Sequence, residues 1–167
     1  MIKITIQLFF IAVDSYAIWG LFSDGRHRYL ADGQGAASLT VAAAELGIGR
    51  PEQFQTIKLT TKQALRAMLC PSESCEPRGG QVGDTIYLSE DMDFGDPFDE
   101  SVVVHEMVHY IQWWKAGGHR GGEARDCWEN ISREVKAYAI QQRVLERAGH
   151  DASRARFVME NNYCLDD

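Results

Sequence analysis

Basic residues are in short supply in this chain: 17 lysines and arginines stand against 24 aspartates and glutamates, a net charge of −7. A protein that grips nucleic acid or an anionic membrane surface needs the opposite balance, so both partners are excluded as expectations. Long apolar runs are missing as well. None reaches the roughly 18 residues that a membrane-spanning helix requires, so no integral membrane segment is expected. Internal repeats and low-complexity segments are absent, which removes solenoids and disordered tails. What remains, 45% apolar and 25% charged over 167 residues, is the make-up of one soluble globular domain with a real core.

The N-terminus supports two readings. In "MIKITIQLFFIAVDSYA" a lysine precedes an apolar stretch from Ile4 to Val13, with Ser15 and Ala17 as small residues before a cut. That layout predicts a signal peptide over 1–17, a mature domain over 18–167, and export to the periplasm or the medium. Alternation over Ile2 to Leu8 also suits a β-strand, which would leave the protein in the cytoplasm. Cysteines are few, at 70, 75, 127 and 164. An even number fits two disulfides in an oxidising compartment. Cys70 and Cys75 bracket the turn-rich "PSES", which favours pairing them and leaves Cys127 with Cys164; four reduced thiols are the alternative.

Further along, an alanine-rich helix is expected from about Ser38 to Leu46, closed by Gly47. "QFQTIKL" alternates as a strand, and Thr60 or Thr61 caps a helix "KQALRAML" that ends before Pro71. The stretch from Cys70 to Gly83 reads as a loop, and "DTIYLSE" as a short strand with Ile86 and Leu88 on one face. Glu90 to Glu100 reads as a solvated acidic turn, without the ligand order of a calcium loop. Asp96-Pro97 opens a helix that runs to Lys115 and stops at Gly117-Gly118. A second long helix is expected from Asp126 to Ala148, stopped by Gly149, and a last short one over "ASRARFVMEN" capped by Asp151. The sum is an α+β domain.

The helix "SVVVHEMVHYIQWW" is apolar all round, hence buried, yet it carries two histidines and a glutamate. Buried ionisable groups are costly unless something satisfies them. His105 and His109 lie four apart, about 40° from each other on the helix surface, so both imidazoles face one side. Two imidazoles one turn apart can share one zinc ion, with Glu106 beside it to deprotonate a water. H-E-x-x-H arises by chance about once in a hundred chains of this composition, so the apolar setting matters as much as the motif. The alternative is a pair of core histidines bonded to backbone.

A catalytic zinc takes three protein ligands. Metzincins place a glycine three and a histidine six residues beyond the second motif histidine; here those positions are Gln112 and Lys115. Gln112 shares the histidine face, where it lines a cleft or bonds to backbone. The following helix supplies Glu129 and Glu134. Trp128, Ile131, Val135, Tyr138 and Leu145 read as its apolar stripe, and Trp113, Trp114 and Trp128 as core. Glu129 then falls on the polar side, four residues from Arg133. Glu134 lies about 60° from the stripe's centre. Glu134 is therefore the expected third ligand, with His119, Glu123 and Asp126 as competitors.

His105-Glu106-Met107-Val108-His109, followed 25 residues later by Glu134 in "EVKAY", resembles the gluzincin branch of the zincin metallopeptidases, in particular small bacterial families with a minimal zincin core. The resemblance covers about residues 56–148. It implies a small mixed sheet whose edge strand packs on the motif helix and receives an extended substrate, and "DTIYLSE" matches that strand. It implies one zinc held by His105, His109 and Glu134, Glu106 as general base, and a peptide or protein substrate. Gluzincins often carry an aspartate four residues after the ligand glutamate to orient a histidine. Tyr138 stands there instead, so Asp126 or another carboxylate would have to take that role. Tyr138 and His119 are the candidates to stabilise the oxyanion. A non-catalytic, zinc-stabilised binding domain of the same fold is the rival reading.

Overall fold

The structure is a computed structural model that describes residues 32–51, 56–70, 76–118, 124, 126–153 and 155–156. The expected signal at 1–17 lies outside the described residues, as do Cys75, Cys164, His119, Glu123 and most of the expected last helix. Within them the chain runs α1 (Asp32–Glu45), β1 (Thr56–Thr60), α2 (Lys62–Leu69), β2 (Gly79–Val82), β3 (Thr85–Ser89), α3 (Pro97–Lys115) and α4 (Cys127–Arg147). This is a mixed α+β arrangement of four helices and three strands.

The sheet order is β1-β3-β2. β1 pairs parallel to β3, with Ile57 opposite Ile86 and Leu59 opposite Leu88. β2 pairs antiparallel to β3, with Gly79 opposite Leu88 and Val82 opposite Thr85. Gly83 turns that hairpin at a φ of +60°, a left-handed conformation that costs glycine nothing. Two expectations are corrected here. "DTIYLSE" is the centre of the sheet, not its edge, because strands bond to both of its sides. The stretch from Cys70 to Gly83, expected as loop throughout, contains β2, one of the two edge strands, β1 being the other.

α3 is the core of the molecule. Asp96 caps it by accepting hydrogen bonds from the backbone N–H groups of Phe98 at 2.8 Å and Asp99 at 3.2 Å, and Pro97 takes the first helical position. The helix packs on α1, α4 and the sheet at once, which is why it can be apolar on every side. Val103, Met107, Val108 and Ile111 are sealed from water together with Leu39 of α1, Ile86 and Leu88 of β3 and Ile140 of α4. Two buried polar groups of α3 have partners. Asp99 binds Arg78 at 2.6 Å and accepts from the Asp93 N–H at 2.9 Å, while Ser101 receives Gln141 from α4 at 3.0 Å.

α4 begins at its cap Asp126 and buries Ala137, Ile140, Gln141 and Leu145. This corrects the stripe expected from the sequence: Trp128 is 61% exposed and Val135 is exposed too. Of the three tryptophans expected in the core, Trp113 is buried, whereas Trp114 and Trp128 are exposed. Among the described residues no helix is long and apolar enough to cross a membrane. Neither Cys70 nor Cys127, the two cysteines among the described residues, is a free thiol.

Candidate metal centre

α3 holds His105 and His109 one turn apart, and their Nε2 atoms approach to 3.0 Å. α4 crosses above them and sets Glu134 over both. Its Oε2 lies 3.4 Å from His105 Nε2 and its Oε1 3.2 Å from His109 Nε2. One donor atom from each residue falls within 4.8 Å of the others. The three short distances carry chemical information. Ligands about 2.0–2.1 Å from a tetrahedral zinc are separated from one another by about 3.3 Å, and 3.0, 3.2 and 3.4 Å are close to those edges. Two imidazole nitrogens and a carboxylate are also the donor set that zinc accepts at a catalytic site. These residues fit a metal ion.

The charges of the three groups depend on one another. Burial pushes the Glu134 carboxyl up, but hydrogen bonds to His105 and His109 and their charge outweigh it and hold the group well below the usual carboxylate range. Burial pulls His109 down, and the bond to Glu134 and its charge more than reverse this, so His109 keeps its proton above the usual histidine range. A positive charge is favoured at this point of the fold, whether a proton or a metal supplies it.

Glu106 is buried beside them against β2. Among the described residues its Oε2 has no hydrogen-bond partner. Burial raises its pKa, the positive charge of His105 and His109 works the other way, and Glu134 adds to the rise. Room for this carboxylate depends on Gly79: a Cβ there would stand 3.1 Å from Glu106 Cγ and 2.9 Å from Leu88 Cδ2. The ring of Tyr138 lies edge-on to His105, with centroids 4.3 Å apart and planes at 61°. All five groups open into a cleft of about 820 Å³. Arg78, Gly79, Gly80 and Gln81 wall it on the β2 side, and Asn130, Arg133 and Gln141 on the α4 side.

The structure brings together His105, Glu106, His109, Glu134 and Tyr138. Asp126 lines the same cleft but is not one of the converging donors; it caps α4, where its carboxylate accepts from the Glu129 N–H at 2.8 Å. Glu129 pairs with Arg133 at 2.7 Å, four residues on, as the spacing predicts. Gln112, for which the sequence leaves two roles open, bonds to His109 Nδ1 at 3.1 Å and to the backbone oxygen of Arg133 at 3.1 Å. Its i+3 spacing from His109 was the available signal. Gly79 had only its place in "RGGQV" to point to it. Comparison with protein-family models, with curated proteins and with solved structures found no match, so an activity has to be read from the site itself.

Proposed function

We propose that the protein is a zinc-dependent metallopeptidase of zincin type, holding one zinc ion through His105, His109 and Glu134. One observation carries the reading: three donor atoms stand at the edge lengths of a zinc tetrahedron, and next to them a buried carboxylate oxygen has no partner. A purely stabilising metal needs no such carboxylate, which sets hydrolysis above the rival of a structural zinc domain.

Zinc, when bound, supplies a Lewis acid and brings the pKa of a water to about 7. Glu106 takes the proton from that water and passes it to the leaving amine, as a buried carboxylate with a raised pKa is suited to do. Tyr138, against His105 in the cleft, is the donor to the developing oxyanion; His119, the other candidate, lies outside the described residues. β2 is the sheet edge at the cleft, and an extended peptide adds to such an edge through backbone hydrogen bonds. The substrate is therefore a peptide or protein in extended form. We extend the reading to an exported protein with a signal at 1–17 and Cys70–Cys75 and Cys127–Cys164 pairs. N-terminal sequencing of the secreted product checks this, and a chain that begins at Met1 refutes it.

Glu106→Gln tests the mechanism. The variant is expected to bind as much zinc as the wild type and to cleave a mixed peptide library at least about 100-fold more slowly. Full hydrolysis by zinc-loaded Glu106→Gln would rule the mechanism out.

A further inference from the structure

Gln112 joins the site to α4 through a single amide, and the chemistry of its two partners leaves one orientation. The backbone oxygen of Arg133 can only accept, so the atom that meets it at 3.1 Å must be the Gln112 NH₂. The Gln112 carbonyl oxygen then faces His109 Nδ1 at 3.1 Å and can only accept in turn. Nδ1 must carry the proton. In a neutral ring that leaves Nε2 bare, with its lone pair facing His105 and Glu134.

His105 has no such device: among the described residues its Nδ1 is buried without a partner. Glu134 faces His105 Nε2 at 3.4 Å and His109 Nε2 at 3.2 Å alike, so the amide lock acts on His109 alone.

We propose that Gln112 is a positioning residue that locks His109 in the Nδ1–H tautomer and, through Arg133, fixes the segment of α4 that carries Glu134. One ligand is thus preset for a metal and the other is not. The consequence for metal affinity rests on the zinc reading above; the His109 tautomer does not.

The test is the two-bond ¹⁵N–¹H correlation spectrum of the histidine rings in the metal-free protein, followed upward in pH until the His109 ring, which keeps its proton above the usual range, is neutral. It is recorded for the wild type, Gln112→Met and Gln112→Glu, beside zinc affinity by chelator competition. The wild type is expected to show His109 as Nδ1–H. Gln112→Met, similar in volume but without the acceptor, is expected to give His109 a mixture of tautomers and about 10–100-fold weaker zinc binding. Gln112→Glu keeps an acceptor and is expected to restore the Nδ1 proton. His109 found as Nε2–H in the wild type, or unchanged as Nδ1–H in Gln112→Met, overturns the proposal. His109 as Nδ1–H in a wild type that binds no zinc, and mixed in Gln112→Met, would uphold the lock and overturn the metallopeptidase reading instead.

Discussion

A methyl group at position 79 would meet Leu88 at 2.9 Å and the Glu106 side chain at 3.1 Å. At 2.9 Å something must shift and at 3.1 Å the neighbour must give by a few tenths of an ångström; Glu106 is the neighbour with room to yield, because its carboxylate opens into the cleft. Gly79→Ala is therefore expected to displace the proposed base and lower kcat by about tenfold or more while zinc per chain stays the same. Steady-state kinetics beside metal analysis checks it, and an unchanged kcat would mean that the close approach is unimportant. Asp99 presents a different single-residue case. It is buried and satisfies Arg78, whose Nε has no partner of its own. Asp99→Ala is expected to cost about 2–3 kcal/mol in urea unfolding. That is below the roughly 3–5 kcal/mol of a fully buried pair, because the Arg78 side chain is still 26% exposed. The motif residues were legible in the sequence because helical spacing alone puts His105 and His109 on one side. Gly79 and Gln112 were not, because what they do depends on Leu88 and on the Arg133 carbonyl, which only the folded chain brings near.

Elements with strong end signals were equally legible. Asp96-Pro97 and Gly117-Gly118 bounded α3, and Thr61, which accepts from the Ala64 N–H, capped α2. β2 was hidden because "GGQV" has little strand propensity. It is held by pairing with β3 and by close packing, since a Cβ on Gly80 would stand 2.3 Å from Leu69 Cδ1. In α4 the large apolar Trp128 pulled the expected stripe off the buried face, though Leu145 belongs to both: Trp128 lies about 180° around the helix from the buried Ala137. Trp128→Ala should accordingly change stability by no more than about 0.5 kcal/mol, whereas Ile140→Ala should cost about 2–5 kcal/mol. Chemical denaturation of the two variants decides which face is buried. At the far end of the same helix, Arg143 and Arg147 both bind Glu45 and tie α4 to α1. Burial raises the Glu45 pKa, but the two arginines outweigh it and lower it from the ordinary carboxylate value. A lowered folded pKa means stability that is present above the unfolded value of about 4.5 and lost as pH falls through the folded one. Glu45→Gln is expected to be less stable than the wild type by about 1 kcal/mol at pH 7. The difference should close as pH drops below about 4. A gap that persists at pH 2–3 would show that packing, not charge, holds the two helices.

For the molecule as a whole, the α+β class and the buried character of α3 followed from composition and pattern, while the order of the strands did not. Sheet order is set by which strands pair across loops, and the sequence holds no local record of it. The assembled fold has α3 as its axis, with the sheet on one side and α4 on another, and the candidate metal site lies where α3 and α4 cross. A bound ion would join those two helices, so zinc at 100 times its dissociation constant should stabilise the fold by about 2.7 kcal/mol. Thermal melts with added zinc and with a chelator check this; coincident melts would mean that no ion binds the folded state preferentially. The most direct measurement is zinc per chain in the purified wild type beside Glu134→Ala. One zinc is expected in the wild type and little in the variant. One zinc in both would move the third ligand away from Glu134, and none in the wild type after incubation with excess metal would remove the metal centre altogether.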